Sequence, residues 1–395
     1  MKSPNKNKKH IQKTLQKKEK YKIFRRLYYL LAILVIFAIL LIIRFVPHAA
    51  EIWMRYFYNN VQQLFAPLFS FIPFSLTEVL FLFLIVFSLT IVVLIIKDLI
   101  RGRFTKSLNK ALSVLIVFSS VATCYFATAG IAYGRSALNL PQYQETVESE
   151  NFVEIIEYFI NDFNNCANNL TYDENGSVIN PYTANEINDL LQKEFLKLDE
   201  TYFAKATPNI KYLMSSFLYR EFNIAGISFV PFFEANINYL VPDAQIMSTM
   251  AHEIAHTKGV MREQDANFVS AYILLNSNNT FLRYSGYFST FYSLLELSRY
   301  VGDKNKYSLL YQSLNIQIKN DYSYVSNYWK SYNLLDDLAT WFNDLYLKIL
   351  GNQGVISYED KPITDKEVNP DTGQVTLVIK EFSPLQKLYF YFYFS

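Results

Sequence analysis

The apolar positions of this chain follow two different patterns, which meet near Gly134. Before this residue, three uncharged runs are each long enough for a helix that crosses a bilayer, because about 20 apolar residues span the hydrocarbon layer. We therefore predict three transmembrane helices, at about residues 27–47, 77–97 and 111–132. Together they would form a membrane domain over residues 27–134.

After Gly134, apolar residues recur at helical and strand-like spacings between polar residues. Thr183 and Glu186 have the spacing of a capping box, which marks the start of a helix. Alternation from Gly226 to Leu240 predicts a strand or hairpin broken at Pro231. Helical spacing is found in three further segments, Phe152–Phe163, Ala184–Leu198 and Phe281–Tyr300.

These patterns predict the fold class. We expect a mainly α protein in which three N-terminal transmembrane helices precede a predominantly helical α+β domain over residues 135–395. Near its C-terminal end, the residues Pro370 to Gly373 predict a turn before a short strand, VTLVI. The final stretch, KLYFYFYFS, is almost wholly aromatic, and the sequence leaves open whether it packs on the domain or contacts the membrane.

Charge predicts the orientation of these elements in the membrane. Residues 1–26 hold eleven Lys or Arg against one acidic residue, Glu19, and we expect a basic, disordered cytoplasmic tail. The loop from Lys97 to Lys110 carries a net charge of +4. Since basic loops stay in the cytoplasm, three spans would deliver residues 135–395 to the outer side.

Composition excludes several classes of function. The chain is 51% hydrophobic and 17% aromatic, which is rich for a purely soluble protein of 395 residues. Its two cysteines, Cys124 and Cys166, fall in different environments, so neither a disulfide nor a cysteine metal site is expected. No phosphate-binding glycine loop or nucleic-acid motif stands out, and the basic N-terminus suits a membrane surface better than DNA.

The candidate chemistry is concentrated between Met250 and Asn267, MAHEIAHTKGVMREQDAN. His252 and His256 are four residues apart, so on a helix they share one face and can bind the same metal ion. Glu253 follows the first histidine directly and can polarise a water bound to that ion. This HExxH arrangement is typical of zinc peptidases.

A third ligand must come from residues after the helix, because such sites use three protein ligands and one open position. The only other histidines are His10 and His48, in or near the N-terminal membrane region. We expect Gly259 to end the helix, and the next candidate ligands are Glu263 and Asp265. The order Glu263, Ala266, Asn267 resembles the Glu-x-x-Ala-Asp signature of gluzincin peptidases, and this resemblance implies Glu263 as the ligand, with Asp265 as the alternative. Asp243 is the expected N-cap of the helix.

Two more requirements of peptide hydrolysis can be assigned to residues. Because residues 135–395 contain no other histidine, the oxyanion must be stabilised by a tyrosine, an arginine or the backbone, and the candidate side chains are Arg283, Tyr284 and Tyr287. The segment from Gly226 to Leu240 precedes the HExxH helix and is suited to be a sheet edge along which a peptide substrate adds as a strand. An ordinary core strand is the alternative.

Several stretches together resemble a bacterial membrane family, catalogued as a domain of unknown function, that has a zincin-like HExxH. They are FFEANIN, AHEIAHTKG, REQDANF, RYSGYF and LYLKILGNQGVISYED. The resemblance implies a membrane-tethered, gluzincin-like metallopeptidase, and it supplies no substrate. This chain departs from it at Asp265 and Asn267, and in an additional segment from about Lys361. The alternating segment from Gly226 to Leu240 predicts a small sheet beside the HExxH helix.

The expected function is therefore zinc-dependent hydrolysis of an envelope protein or peptide, at the outer face of a bacterial cytoplasmic membrane. Glu253 would assist attack by zinc-bound water. The expected partners are a peptide or protein substrate and membrane lipid, without nucleic acid. Two alternatives remain: a catalytically degenerate membrane module that binds an envelope protein or peptide, and a zinc amidase that acts on the cell wall.

Overall fold

The structure, a computed structural model, is mainly helical, as the sequence predicts. It describes residues 4–136, 138, 147–198, 202–301, 303, 305–332, 334–349, 360–368 and 375–395. The helices are α1 (Pro4–Phe45), α2 (Pro47–Ile52), α3 (Asn59–Ser70), α4 (Leu76–Ile100), α5 (Phe104–Tyr125), α6 (Phe152–Asn168), α7 (Ala184–Phe195), α8 (Ser216–Glu221), α9 (Asp243–Thr257), α10 (Glu263–Leu275), α11 (Thr280–Glu296), α12 (Lys306–Gln312), α13 (Ile316–Ser331), α14 (Asp336–Ile349) and α15 (Pro384–Phe394).

The strands are short and form two small sheets. They are β1 (Ile210–Tyr212), β2 (Gly226–Phe229), β3 (Glu234–Ile237), β4 (Ile363–Val368) and β5 (Val375–Glu381). The first three form a sheet with the order β1-β3-β2, and the last two form an antiparallel pair. Two π-helical segments, Trp53–Tyr58 and Phe126–Gly130, extend helices of the N-terminal half.

The chain divides into two compact units. The first contains Met1–Tyr58, Leu76–Arg135 and Val230–Phe232, and the second contains Asn59–Ser75, Ser136–Phe229 and Phe233–Ser395. The segment with α3 therefore packs with the second unit, although it lies between α2 and α4 in the chain.

In the first unit, three helical stretches are long and apolar enough to cross a membrane: Lys17–Phe45, Leu76–Ile100 and Phe104–Gly134. They overlap the three spans that the sequence predicts. Within the first stretch, the Arg44 guanidinium lies 5.6 Å from the ring centroid of Phe126 and 5.7 Å from that of Tyr133. These cation–π contacts give the charge a partner inside the unit.

The N-terminal segment differs from the expected disordered tail, because α1 begins at Pro4 and continues through residues 4–26. Two local features explain a helix here. Proline is favoured in the first turn of a helix, where its missing N–H costs no bond. The lysines that follow are good helix formers, and no glycine or proline interrupts the sequence from Pro4 to Phe45.

The second unit is built around α9, α10 and α11, which pack on one another, and α6 packs on α11. Apolar residues at helical spacing fill the contacts; Met247, Met250, Ala251 and Ile254 of α9 are all buried.

The capping box of α7 is present, with Thr183 and Glu186 bonded reciprocally. At the C-terminal end, Tyr389 and Phe390 of α15 are fully buried, so the aromatic stretch packs on this unit.

The expected strand or hairpin from Gly226 to Leu240 is found as β2 and β3, joined by a 3₁₀ turn that contains Pro231. β1 pairs with β3 in parallel, in the register Ile210–Ala235. Lys211 and Glu234 on these two strands form an ion pair whose side chains are almost wholly buried. The strand VTLVI lies within β5, whereas the turn expected at Pro370–Gly373 falls outside the described residues.

Candidate metal centre

Helix α9 carries both motif histidines and runs without a breaker to Thr257. Its N-cap is Pro242, one residue before the expected Asp243. Asp243 instead accepts a hydrogen bond from the backbone N–H of Asn180 at 2.8 Å, so its carboxylate joins a loop to the helix. At the other end, Gly259 adopts a φ of +86°, the left-handed conformation that ends a helix and that the sequence predicts.

The turn after α9 brings Glu263 back to the histidines. Its Oε2 lies 3.2 Å from Nε2 of His252 and 3.7 Å from Nε2 of His256. One potential ligand atom from each of the three residues lies within 4.8 Å of the other two. The two imidazole rings are nearly perpendicular, with centroids 4.6 Å apart. Among the described residues, this is the cluster of His, Cys, Asp or Glu that could hold a metal ion.

The orientation of His256 is set by the backbone that follows it. Its Nδ1 lies 2.7 Å from the carbonyl oxygen of Val260. A carbonyl oxygen can only accept, so Nδ1 must carry the hydrogen, and the lone pair is then on Nε2. Nε2 is the nitrogen that faces Glu263. A hydrogen bond of this kind orients a histidine for metal binding.

Glu253 is buried beside the first strand of the hairpin. A Cβ atom added to Gly226 would lie 2.7 Å from Cγ and 2.8 Å from Oε1 of Glu253, so the absence of a side chain there makes room for the carboxylate. Ser228 donates its hydroxyl hydrogen to the backbone carbonyl of Glu253 at 2.6 Å. These two contacts join the strand to the helix at the position of the motif glutamate.

The environment of Glu253 changes its acidity. Burial raises its pKa to about 7, the nearby His256 lowers it, and the carboxylate of Glu263 raises it again. Hydrogen bonds from Ser228 have a smaller, lowering effect. Removal from water disfavours the charged form of a carboxyl group, which explains the direction of the largest effect.

Strand β2 lies at the edge of its sheet, because the strand order is β1-β3-β2. Gly226 to Ser228 of this edge are the residues that contact Glu253. The segment is thus an edge strand beside α9, one of the two possibilities that the sequence left open. An edge strand presents backbone N–H and C=O groups that an extended peptide can pair with.

The alternative ligand, Asp265, has a different neighbour. Its Oδ2 lies 3.9 Å from the guanidinium of Arg262. The group with the histidines contains Glu263 and not Asp265. Both acids lie in the first turn of α10, but they differ by two positions and so point about 200° apart around the helix.

The residues expected to stabilise an oxyanion have other partners. Arg283 and Tyr287, on α11, both contact the carboxylate of Asp162 on α6. Tyr284 donates its hydroxyl hydrogen to Asp321 on α13. These contacts lie outside the group of His252, His256 and Glu263. The difference arises because Asp162 precedes Arg283 by 121 residues, a separation at which sequence spacing gives no contact information.

Sequence reasoning missed three parts of this site: the close approach of Gly226, the hydroxyl of Ser228 and the carbonyl of Val260. The first two lie in the alternating segment already assigned to a strand, and a glycine within a strand often marks a close approach. The third had no side-chain signal, since any residue at position 260 supplies a carbonyl.

Comparison with known proteins identifies a family for this chain. Residues 53–362 match a family model described as "Protein of unknown function (DUF3810)". The matched residues include β2, α9 and α10, and the match ends at residue 362, close to the start of the additional segment expected from Lys361. No curated protein and no solved structure matches the chain. Since the match covers well over half of the sequence, the chain belongs to the DUF3810 family of proteins of unknown function.

Proposed function

We propose that this protein is a zinc-dependent peptidase anchored in a membrane. The observation that carries the proposal is the approach of His252, His256 and Glu263 to within 4.8 Å of one another, with Glu253 adjacent on the same helix. Two imidazoles, a carboxylate and a neighbouring glutamate form the donor set and base of HExxH peptidases.

The distances suit zinc. Zinc binds imidazole nitrogen and carboxylate oxygen at about 2.0–2.2 Å in tetrahedral geometry, which puts any two ligand atoms about 3.3 Å apart. The two nitrogen–oxygen distances are 3.2 and 3.7 Å. The fixed hydrogen on Nδ1 of His256 supports the same assignment, because it keeps the lone pair of Nε2 available.

In the proposed reaction, Glu253 accepts a proton from the attacking water as the water oxygen adds to the carbonyl carbon of the scissile bond. It then donates that proton to the leaving nitrogen as the carbon–nitrogen bond breaks. Zinc, when bound, supplies a Lewis acid that stabilises negative charge on the carbonyl oxygen. The contacts with Gly226 and Ser228 hold the helix at Glu253 against β2.

An extended peptide is the substrate class that the site fits best. The edge strand β2 can pair with a peptide backbone, and the same strand contacts Glu253. Pairing along β2 would therefore bring a backbone amide, rather than a side chain, close to the catalytic glutamate. We further propose that residues 135–395 face the outside of the cytoplasmic membrane, in accordance with the basic segments of the N-terminal half.

The decisive experiment is the Glu253→Gln substitution in the full-length protein, assayed on a peptide library. We expect the variant to bind zinc as the wild type does and to lose cleavage by at least about 100-fold, as expected when a general base is removed. Zinc content would be measured by mass spectrometry and cleavage by identifying the released peptides.

A matched control is Glu194→Gln, since Glu194 is equally buried but binds Ser277 and Lys197. This variant should cleave at the wild-type rate. Cleavage by Glu253→Gln at the wild-type rate would overturn the mechanism. Zinc binding by the wild type without any peptide cleavage would favour a module that binds its partner without cutting it.

A further inference from the structure

Helix α3 is oriented against the usual rule for helices in water. Its polar Gln62 and small Ala66 are buried, at 0% and 1% exposure, whereas Leu64 and Leu68 are 63% and 58% exposed, together with the polar Asn60 and Gln63. A surface helix of a soluble domain normally buries its apolar face and exposes its polar one. The reversal indicates that the exposed face of α3 has an apolar environment.

The buried face of α3 is bound firmly to the second unit. The amide of Gln62 makes two hydrogen bonds to the backbone of Ala206, donating to the carbonyl at 2.5 Å and accepting from the N–H at 3.1 Å. Three further bonds hold the two ends of α3: Lys205 N–H to Asn59, Asn209 N–H to the hydroxyl of Ser70, and the ammonium of Lys211 to the carbonyl of Phe69.

The exposed apolar surface continues beyond the helix. Phe65 is 40% exposed, Phe71 90% and Phe74 41%. No charged residue occurs between Asn59 and Phe74. Contiguous apolar surface of this kind marks contact with a membrane or a partner, and a surface without charge offers no ionic complement to a polar partner.

Chain connectivity favours lipid as the environment. Five residues, Phe71 to Ser75, separate α3 from α4, which is a candidate membrane span. Because an extended chain advances about 3.3–3.6 Å per residue, the end of α3 lies within roughly 20 Å of the start of that span. At this distance from a span, an apolar surface is within reach of the interfacial layer of the bilayer.

We propose that α3 and the following residues to Phe74 rest in the interfacial layer of the lipid bilayer and hold the second unit on the membrane surface. The contact face is formed by Leu64, Phe65, Leu68, Phe71 and Phe74. Gln62 and Ala66 mark the opposite face, which binds protein.

The segment that α3 binds also contacts the end of the HExxH helix. The N–H of Ala204 donates to the carbonyl of Lys258 at 3.0 Å, and the ammonium of Lys258 donates to the carbonyl of Lys205 at 3.0 Å. Lys258 lies two residues after His256. Residues 204–206 thus connect α3 to the end of α9 through direct hydrogen bonds.

Spin labels on single cysteines test this proposal. In the full-length protein with Cys124→Ser and Cys166→Ala, labels would be attached at Leu64→Cys and Leu68→Cys and studied in phosphatidylcholine–phosphatidylglycerol vesicles. Collisions with oxygen, which concentrates in lipid, and with a water-soluble nickel complex would be measured. We expect several-fold more oxygen contact and less nickel contact than at a water-exposed site.

The matched control is Leu309→Cys on α12, because Leu309 is 55% exposed, nearly the same as Leu68. Its label should contact the nickel complex freely. The proposal is overturned if the labels at 64 and 68 behave as that at 309, which would mean water, or if both reagents are excluded, which would mean a protein partner or a second copy. The readout depends on neither zinc nor cleavage, so it is independent of the proposed peptidase activity.

Discussion

At the scale of single residues, the candidate centre depends on a backbone atom as much as on its side chains. The carbonyl of Val260 fixes the hydrogen on Nδ1 of His256, and it is held there by the left-handed turn at Gly259. A change of side chain at position 260 leaves this bond in place. The orientation of His256 therefore depends on the conformation of the turn.

The third ligand can be distinguished by a pair of substitutions. We expect Glu263→Ala to weaken zinc binding by more than about 100-fold, beyond the 10–100-fold typical of residues that only support a ligand. Asp265→Ala should weaken it by less than about tenfold, because Asp265 lies near Arg262. Competition titration with a zinc-sensitive dye would give both values. Equal losses in the two variants would contradict the assignment.

Residue types and spacing were sufficient to predict the approach of His252, His256 and Glu263 but not the environment of more distant residues. His252, His256 and Glu263 lie within twelve positions, so one helix and one turn determine their approach. Arg283 and Tyr287 also share a helix face, yet their partner, Asp162, comes from α6. A contact between distant segments depends on the packing of the helices, which local spacing does not encode.

At the scale of elements, the sequence predicted α9 and β2 but not how closely they approach. Gly226 has no side chain, and the space is filled by Glu253. The alternation of apolar and polar residues could not distinguish a core strand from an edge strand, because both kinds of strand show it. The order β1-β3-β2 decides it, and this order includes a parallel pairing with β1 across more than twenty residues.

One carboxyl group connects helix α13 to α11 and to a loop through hydrogen bonds. We expect the contribution of this group to stability to depend on pH. Asp321 accepts hydrogen bonds from Tyr284 and from the backbone N–H of Val178. Burial raises its pKa to about 6, although these hydrogen bonds lower it. The folded protein therefore binds this proton more tightly than the unfolded chain does.

The protonated Asp321 contributes at most about 3 kcal/mol to the free energy of unfolding. This contribution is fully present below about pH 4 and is lost as the pH rises through about 6. We expect Asp321→Asn to flatten this part of the curve of melting temperature against pH. Asp189→Asn, at an exposed position on α7, is the control and should leave the curve unchanged. A curve for Asp321→Asn that parallels the wild type would contradict the role of Asp321.

At the scale of the whole molecule, the number of candidate spans and the distribution of basic residues predict an outer location for residues 135–395. Each stretch contains an apolar window of 18 residues, and the basic residues are concentrated in residues 2–26 and 97–110. We expect a phosphatase that is active only outside the cytoplasm to be active when fused after Gly134 and after Ser395.

Fusion after Gly102 provides the control, since this glycine lies in the basic loop and has open space around it. The phosphatase should be inactive there, and a reporter that works only in the cytoplasm should be active. The opposite pattern at Gly134 and Ser395 would reverse the orientation and would exclude an envelope substrate. It would leave the geometry of His252, His256 and Glu263 unaffected.

The buried pair of Lys211 and Glu234 has a consequence for how sequences of this family can diverge. Loss of one partner leaves a buried charge without compensation, which costs about 3–5 kcal/mol, whereas replacement of both by apolar residues is often neutral or stabilising. Single substitutions at either position are thus disfavoured, although the double substitution is not. The two positions should therefore covary, with related chains carrying both charges or neither.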